Sequence, residues 1–352
     1  MQTERTRIPL WCCLLVAMLA VSGCFSDPPR PSKTSAGPSD WASVETTAVL
    51  PGVEIERVTY RSGDLNIYGQ VCRPSSGGRH PVLIVNHGGF AGIGDWDNPT
   101  GNCASIAKAG WVVAESSYRG EDGSDGRIEV CLGEVDDVLA MVDVIRTQSY
   151  ADPDRIAMVG VSHGGCITSR AVERGADIDV AVDIAGPADW GPLVKGVKQE
   201  AKSPSTNPAV KQHLLNLAGL VEKAADGTPD EVPERYAERS PDPKKIARWD
   251  KPFLIMHGSA DQLVPVQQSC DLANQIGGFK PYRLNASGGV ETQPPAGCEV
   301  LTWNDAPKPR TFDADRYFLV YEGVDHFLVA GNGVGRILPD LLRFLETKLP
   351  DE

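Results

Sequence analysis

A serine lies in a tight, glycine-rich turn between an apolar run and a helical stretch. Residues 155–161 have the composition of a buried strand, and Ser162 follows at once, flanked by Gly160 and Gly164. This G-x-S-x-G spacing suits a turn too tight for side chains at the glycines, and it places the serine hydroxyl at a helix N-terminus. The bare motif is a weak signal, but its strand–turn–helix setting predicts that Ser162 is a nucleophile.

A serine hydroxyl needs a neighbouring base to become a good nucleophile. Of the six histidines, His326 lies between the last apolar run, residues 316–321, and the last helical stretch, residues 335–348. In proteins with this serine turn, the acid and then the histidine follow the serine along the chain, and the position of His326 fits that order. We therefore predict that His326 is the general base, although a lone loop histidine is more often structural. The side chain of His163, next to the serine, is expected to point away from the base.

An acid must hold the imidazole in the right tautomer and stabilise the imidazolium. Asp261 follows the apolar run at residues 252–256 and lies between the serine and the histidine in the chain. We predict that Asp261 fills this role. The alternatives are Asp183, inside an apolar run, Asp325, adjacent to the base, and Asp189, which is the best rival.

Two backbone N–H groups are expected to stabilise the oxyanion of the reaction. One comes from His163, the residue after the nucleophile. The second is expected from the loop after the apolar run at residues 81–86, where Gly89 is the candidate and Phe90 the alternative. Residues 87–89 could instead form only a tight turn.

Short apolar runs alternate with helical stretches along most of the chain. Runs that are apolar throughout are typical of parallel strands buried on both faces, so the pattern predicts a mostly parallel, doubly wound sheet. Residues 53–61 and 65–73 precede it as a predicted antiparallel hairpin. The runs are residues 81–86, 111–116, 155–161, 180–184, 252–256 and 316–321.

Two long segments interrupt this alternation. Residues 190–250 are polar and partly helical, and we predict a helical lid insertion there. Residues 277–315 are rich in proline and glycine, and we predict a second insertion. Segments of this length are usually functional lids or disordered.

The N-terminus carries a predicted export signal. An apolar run at residues 8–23 follows Arg5 and Arg7 and ends in Val21-Ser22-Gly23-Cys24, which resembles the cleavage box of bacterial lipoproteins. The resemblance implies a signal peptide at residues 1–23, a lipidated Cys24, a flexible tether at residues 24–44 and a catalytic domain at residues 45–352. The protein would then be exported and lipid-anchored to a membrane of the bacterial cell envelope. A plain signal peptide with an incidental cysteine is the alternative.

Several short motifs outside the serine turn match one known family. They are Tyr118-Arg119-Gly120, residues 152–156 before the serine turn, residues 187–190, Ser240-Pro241 and residues 257–265. From about residue 53 to 350 the chain resembles the catalytic domain of the prolyl oligopeptidase family of serine peptidases. The resemblance implies an α/β-hydrolase fold, and it implies a structural role for Asp189.

The function expected from these patterns is a serine hydrolase that works through an acyl-enzyme. Its substrate would be a small molecule or a short peptide, cleaved at a peptide, amide or ester bond. Many family members carry an N-terminal β-propeller, for which we expect no room here, so a carboxylesterase or acyl esterase is the alternative. A non-catalytic surface binding lipoprotein is an alternative from another class, which the intact serine, aspartate and histidine disfavour.

Six cysteines remain once the signal and the lipidated residue are set aside. Export would place them in an oxidising compartment, and six cysteines allow fifteen full pairings. We predict at least one disulfide and choose Cys270–Cys298, because the proline- and glycine-rich insertion has little apolar surface to hold it in place. Cys166, just after the serine turn, is expected to be the least suitable partner.

Charge and ligand spacing exclude other function classes. The formal net charge is −13, whereas nucleic-acid binding calls for clustered lysine and arginine, so we expect no nucleic-acid partner. No cysteine pair shows metal-site spacing, and we expect no metal and no organic cofactor. The expected contacts are the substrate and, through lipid, a membrane.

Overall fold

Eleven strands in the described residues form one large sheet, with helices between most of its parallel strands. The computed structural model describes residues 40–204, 206–308 and 311–350. The strands are β1 (Ser43–Leu50), β2 (Val53–Ser62), β3 (Leu65–Pro74), β4 (His80–Asn86), β5 (Val112–Ser116), β6 (Ala151–Val161), β7 (Val180–Ile184), β8 (Phe253–Gly258), β9 (Lys280–Leu284), β10 (Val290–Glu291) and β11 (Arg316–Tyr321). The helices are α1 (Asn102–Lys108), α2 (Gly133–Ile145), α3 (His163–Glu173), α4 (Trp190–Glu200), α5 (Pro208–Ala225), α6 (Pro233–Arg239), α7 (Pro243–Ile246), α8 (Gln267–Ile276) and α9 (Gly333–Lys348).

The sheet is parallel in its centre and antiparallel at its two ends. Its strand order is β1-β2-β3-β5-β4-β6-β7-β8-β11-β9-β10. The central strands β5, β4, β6, β7, β8, β11 and β9 pair in parallel with their neighbours. At one end β1, β2, β3 and β5 pair antiparallel, and at the other end β9 and β10 do so. The predicted mostly parallel sheet with an antiparallel N-terminal hairpin is confirmed.

Helices cover both faces of the sheet, which explains the uninterrupted apolar runs. Along β4, Val82 and Ile84 belong to one apolar cluster with α2, α3 and α8, whereas Leu83 and Val85 belong to another with α1 and α9. Every residue of β5, β7 and β8 is buried. Both faces of these strands are therefore core.

Three strands, β1, β9 and β10, were not predicted because they lie near the sheet's ends and lack an apolar run. Strand β1 is only partly buried and pairs with β2. Its first two residues belong to the predicted tether and the rest to the predicted catalytic domain. Before it, Trp41 is 6% exposed and meets the Tyr60 ring edge-on. Strand β9, with a proline and two basic residues, lies inside the segment predicted as an insertion and pairs with β11. Regular secondary structure thus includes residues before 45, and residues 277–315 contribute to the sheet.

Helices α4 to α7 fill the segment predicted as a lid, between β7 and β8. Asp189 caps the N-terminus of α4, and its side chain accepts the backbone N–H of Gly191. Asn207 caps α5 and accepts the N–H of Ala209, with Pro208 in the first turn. Both starts follow the usual capping chemistry of helices.

Three disulfides link segments that are distant in sequence. They join Cys72 to Cys103, Cys131 to Cys166, and Cys270 to Cys298. The last is the predicted pair, and it ties α8 to the segment before β11. The expectation for Cys166 was wrong, because the chain after β5 folds back over α3 and brings Cys131 beside it, a contact that sequence position does not show.

Among residues 40–350, as far as they are described, no helix is long and apolar enough to cross a membrane. The predicted signal peptide, Cys24 and most of the tether lie outside the described residues.

Replacing both members of the Cys270–Cys298 pair by serine is expected to lower the free energy of unfolding. Closing a loop of this size stabilises a fold by roughly 3–4 kcal/mol in the chain-entropy model. Urea denaturation of the double variant measures the loss of unfolding free energy. A Cys72→Ser, Cys103→Ser variant is the comparison, because the two disulfides close loops of similar length, with sequence separations of 28 and 31. Finding Cys270 and Cys298 alkylated as free thiols in the unreduced protein would contradict this pairing.

Candidate active site

Ser162 occupies a strained turn between β6 and α3. Its φ is 56° and its ψ is −121°, in the left-handed half of the map that side chains avoid. Its backbone N–H donates to the carbonyl of Ile184 on β7, at 2.9 Å. A Cβ on Gly160 would lie 2.0 Å from the Gly164 carbonyl oxygen, and one on Gly164 would lie 2.0 Å from that of Asn86. Both glycines are therefore required by close backbone contact, as the motif predicts.

The structure brings the three predicted triad side chains together. His326 Nε2 lies 2.9 Å from Ser162 Oγ, and His326 Nδ1 lies 2.6 Å from Asp261 Oδ2. For the imidazole to accept the serine proton, Nε2 must hold a lone pair, so Nδ1–H donates to the aspartate. These contacts join β6, β8 and β11, whose carboxyl ends meet at one edge of the sheet.

Asp261 is a buried carboxylate that the surrounding donors keep ionised. Its Oδ1 accepts the backbone N–H groups of Leu263 and Val264, at 2.9 and 2.8 Å. Burial by itself would raise the pKa of Asp261, but interaction with His326 and hydrogen bonds from His257 and His326 outweigh burial and hold that pKa well below its usual range. The carboxylate can therefore orient and stabilise an imidazolium across the working pH range.

His257 is a supporting residue that sequence reasoning missed. Its Nε2 donates to the Val264 carbonyl at 2.8 Å and lies 3.3 Å from Asp261 Oδ2, while its Nδ1 lies 2.7 Å from Ser269 Oγ. It thus holds the loop that carries the acid. The signal was present as a His-Gly pair at a strand end, four residues before Asp261.

The three rival aspartates have other partners. Asp183, within β7, accepts from Ser169 Oγ and from the Gly186 N–H. Asp325 accepts the backbone N–H groups of Val329 and Ala330, and Asp189 caps α4. Geometry therefore favours Asp261 as the partner of His326.

The predicted oxyanion donors both line the cavity beside Ser162. Gly89 has a φ of 73°, in the region that favours glycine, and Phe90 follows it on the same wall. His163 is the first residue of α3 and borders the same space. Gly89 and Phe90 both stay candidates for the second backbone donor.

The cavity over Ser162 has a volume of about 300 Å³. Apolar side chains dominate its walls, and α4 and α5, from the predicted lid segment, supply one side. No aspartate, glutamate, lysine or arginine is among its described lining residues. Besides His87, His163 and His326, the larger wall side chains are Phe90, Trp190, His213, Asn216, Leu217, Leu220, Leu263, Val264 and Phe327.

Comparison with known proteins identifies the family. Residues 65–276 match the family model BD-FAE. The chain belongs to the BD-FAE family. This BD-FAE chain is 26% identical over 225 residues to the uncharacterized peptidase YtmA of Bacillus subtilis (strain 168), covering 64% of the chain and 80% of the relative. It is 24% identical over 264 residues to the probable carboxylic ester hydrolase LipM of Mycobacterium tuberculosis, covering 68% of the chain and 57% of LipM.

Solved structures show the same fold. The Pyrococcus horikoshii acylaminoacyl peptidase aligns with a TM-score of 0.60 at 16% identity, covering 86% of the BD-FAE chain but only 43% of the peptidase. Acetyl Xylan Esterase 1 from Thermoanaerobacterium sp. JW/SL YS485 aligns with a TM-score of 0.59 at 16% identity, covering 88% of each chain. The resemblance to prolyl oligopeptidase-like α/β-hydrolases is confirmed, and the chain is a serine hydrolase by class.

Asp261→Asn is expected to lower kcat by about 10⁴, because an amide permits the wrong imidazole tautomer. Asp189→Asn is the matched control and should stay within a few-fold of wild type, since Asp189 contacts a helix start and not His326. Steady-state kinetics on one p-nitrophenyl ester measure both. An active Asp261→Asn protein beside an inactive Asp189→Asn protein would reverse the assignment of the acid.

Proposed function

We propose that this protein is an exported serine hydrolase that cleaves an ester or amide bond next to an uncharged acyl group. The observation that carries the proposal is the hydrogen-bonded series Ser162–His326–Asp261, which opens into a cavity without charged walls. The intact series disfavours a purely non-catalytic binding protein. The relatives include both peptidases and esterases, which supports the hydrolase class. The choice between an ester and an amide substrate therefore rests on the residues that line the cavity.

The reaction follows from the three side chains. Ser162 Oγ attacks the carbonyl carbon while His326 Nε2 takes the hydroxyl proton, and Asp261 stabilises the imidazolium. The N–H groups predicted at His163 and Gly89 would hold the oxyanion. His326 then gives its proton to the departing alcohol or amine, which leaves an acyl-enzyme on Ser162. A water, deprotonated by His326, attacks that ester, and the acid is released as Ser162 regains its proton.

The uncharged cavity favours neutral substrates. A substrate ammonium beside the scissile bond would lose water and find no carboxylate among the described wall residues. Peptides with a free amino group near that bond fit poorly, whereas acyl esters and N-acylated amides fit. A carboxylesterase is for this reason the second candidate.

A substrate panel tests the proposal. Wild type should hydrolyse p-nitrophenyl esters of short acyl chains and N-acetyl-aminoacyl anilides, and it should be at least roughly tenfold slower in kcat/KM on the matching free-amine anilides. Ser162→Ala should lose turnover and labelling by a fluorophosphonate, because the hydroxyl is the attacking group. Labelling or turnover that persists in Ser162→Ala would reject the mechanism.

Asn216→Asp provides a matched test of charge selection. Asn216 lies on the cavity wall, and its Oδ1 accepts from Gln212, a bond that an aspartate keeps. The added charge should raise kcat/KM for free-amine substrates several-fold relative to neutral ones, and less so at high salt. An unchanged ratio would mean that the wall charge does not select the substrate.

We also propose that Cys24 anchors the protein to a membrane of the bacterial cell envelope through lipid. The support is the Val21-Ser22-Gly23-Cys24 sequence, which precedes the described residues. Cys24→Ser should abolish labelling by a radioactive fatty acid and leave turnover by the purified protein unchanged, while Cys13→Ser, inside the predicted signal, should keep the label. Persistent labelling of the Cys24→Ser protein would end this proposal.

A further inference from the structure

The side chain of His163 points toward the loop that carries Gly89. Its Nδ1 lies 3.1 Å from the carbonyl oxygen of Gly89, and its Nε2 lies 3.2 Å from the backbone nitrogen of Cys131. The Cys131 N–H is a donor, so Nε2 must be the accepting nitrogen and Nδ1–H must donate to Gly89. The ring therefore joins two loops that are otherwise distant in sequence.

Burial keeps this ring in the neutral form that the two bonds need. His163 is 1% exposed. Loss of hydration, together with the nearby His87 and against the opposing effect of the Gly89 bond, lowers the pKa of His163 to about 3. A protonated ring would lose its acceptor, so the arrangement is stable at neutral pH.

Aromatic contacts fix the orientation of the ring. Phe90 packs against it with a centroid distance of 4.4 Å, and Tyr118 meets it edge-on at 5.9 Å. Tyr118 also stacks on His87 at 4.2 Å, and its hydroxyl donates to the His87 carbonyl at 3.3 Å. The loop from His87 to Phe90 is thus held on several sides.

The backbone at Cys131, which donates to His163 Nε2, is also held in place. Cys131 is disulfide-bonded to Cys166, in the helix that begins right after Ser162. The Glu134 carboxylate accepts the backbone N–H groups of Glu129, Val130 and Leu132. The partner of Nε2 therefore cannot shift without disturbing the start of α3.

We propose that His163 is a positioning residue that sets the location of the oxyanion-binding loop at Gly89 relative to Ser162. The proposal rests on the proposed function. The backbone of His163 is predicted to supply one oxyanion donor, while its side chain holds the loop predicted to supply the other. One residue thereby fixes the separation of two donors that must be arranged before charge develops. Small displacements of such groups cost up to about 10² in rate.

Three substitutions distinguish a positioning role of the His163 hydrogen bonds from a role of its ring in packing. His163→Phe keeps a ring against Phe90 and Tyr118 and removes both polar contacts. His163→Asn places an amide N–H close to where Nδ1 lies, so the bond to Gly89 survives. His163→Gln places its amide further out, toward Cys131, and loses the bond to Gly89.

His163→Phe should lower kcat by roughly 30- to 100-fold, with KM within about twofold, because the loss falls on the transition state. His163→Asn should recover most of this rate, and His163→Gln should not. The affinity of a trifluoromethyl ketone inhibitor, whose adduct carries an oxyanion, should fall in parallel with kcat. The pH profile of His163→Asn should match wild type, since the neutral ring does not titrate in the assay range.

Several results would overturn the positioning role. They are wild-type kcat in the phenylalanine variant, equal rates in the asparagine and glutamine variants, or a loss confined to KM. Ser162→Ala runs beside these variants and must be inactive. Turnover by Ser162→Ala would reject the proposed function itself, whereas wild-type kcat in His163→Phe with inactive Ser162→Ala would reject only the role of His163.

Discussion

The close approach of α3 to the sheet, at the turn around Ser162, is the constraint on which the site depends. The backbone at Gly164 lies against the end of β4, and that at Gly160 lies against Gly164 itself. With no side chain between them, Ser162 can adopt its left-handed conformation and bond to β7. The same approach brings the loop after β4 next to the serine, so the nucleophile and the predicted oxyanion loop are positioned by one contact.

A single ionised carboxylate is tolerated in this buried region because donors surround it. Asp261 accepts two backbone N–H groups and faces two imidazoles, which together compensate for lost hydration. The substrate cavity lies on the other side of His326 and offers no such compensation to a charge. Charge is thus confined to the side of the imidazole where it supports the chemistry, and the substrate side is left apolar.

Two of the disulfides hold segments that lack regular secondary structure. Cys298 lies between β10 and β11, in a stretch without regular structure, and Cys131 lies in the turn before α2. The Cys131–Cys166 bridge also fixes the partner of His163 relative to the start of α3. The contacts beneath the nucleophile therefore combine a disulfide, a neutral histidine and two aromatic rings.

The sequence alone determined the features that depend on neighbouring residues. The strand–turn–helix around Ser162 and the apolar runs of β4, β7 and β11 follow from local pattern, and chain order pointed to Asp261 and His326. Strands β1, β9 and β10 were not predicted, because a strand near a sheet's end needs no continuous apolar run. The partners of His163, at Gly89 and Cys131, are 74 and 32 residues away. Only the folded chain brings those groups within hydrogen-bond distance, because such contacts depend on how loops pack and not on local sequence.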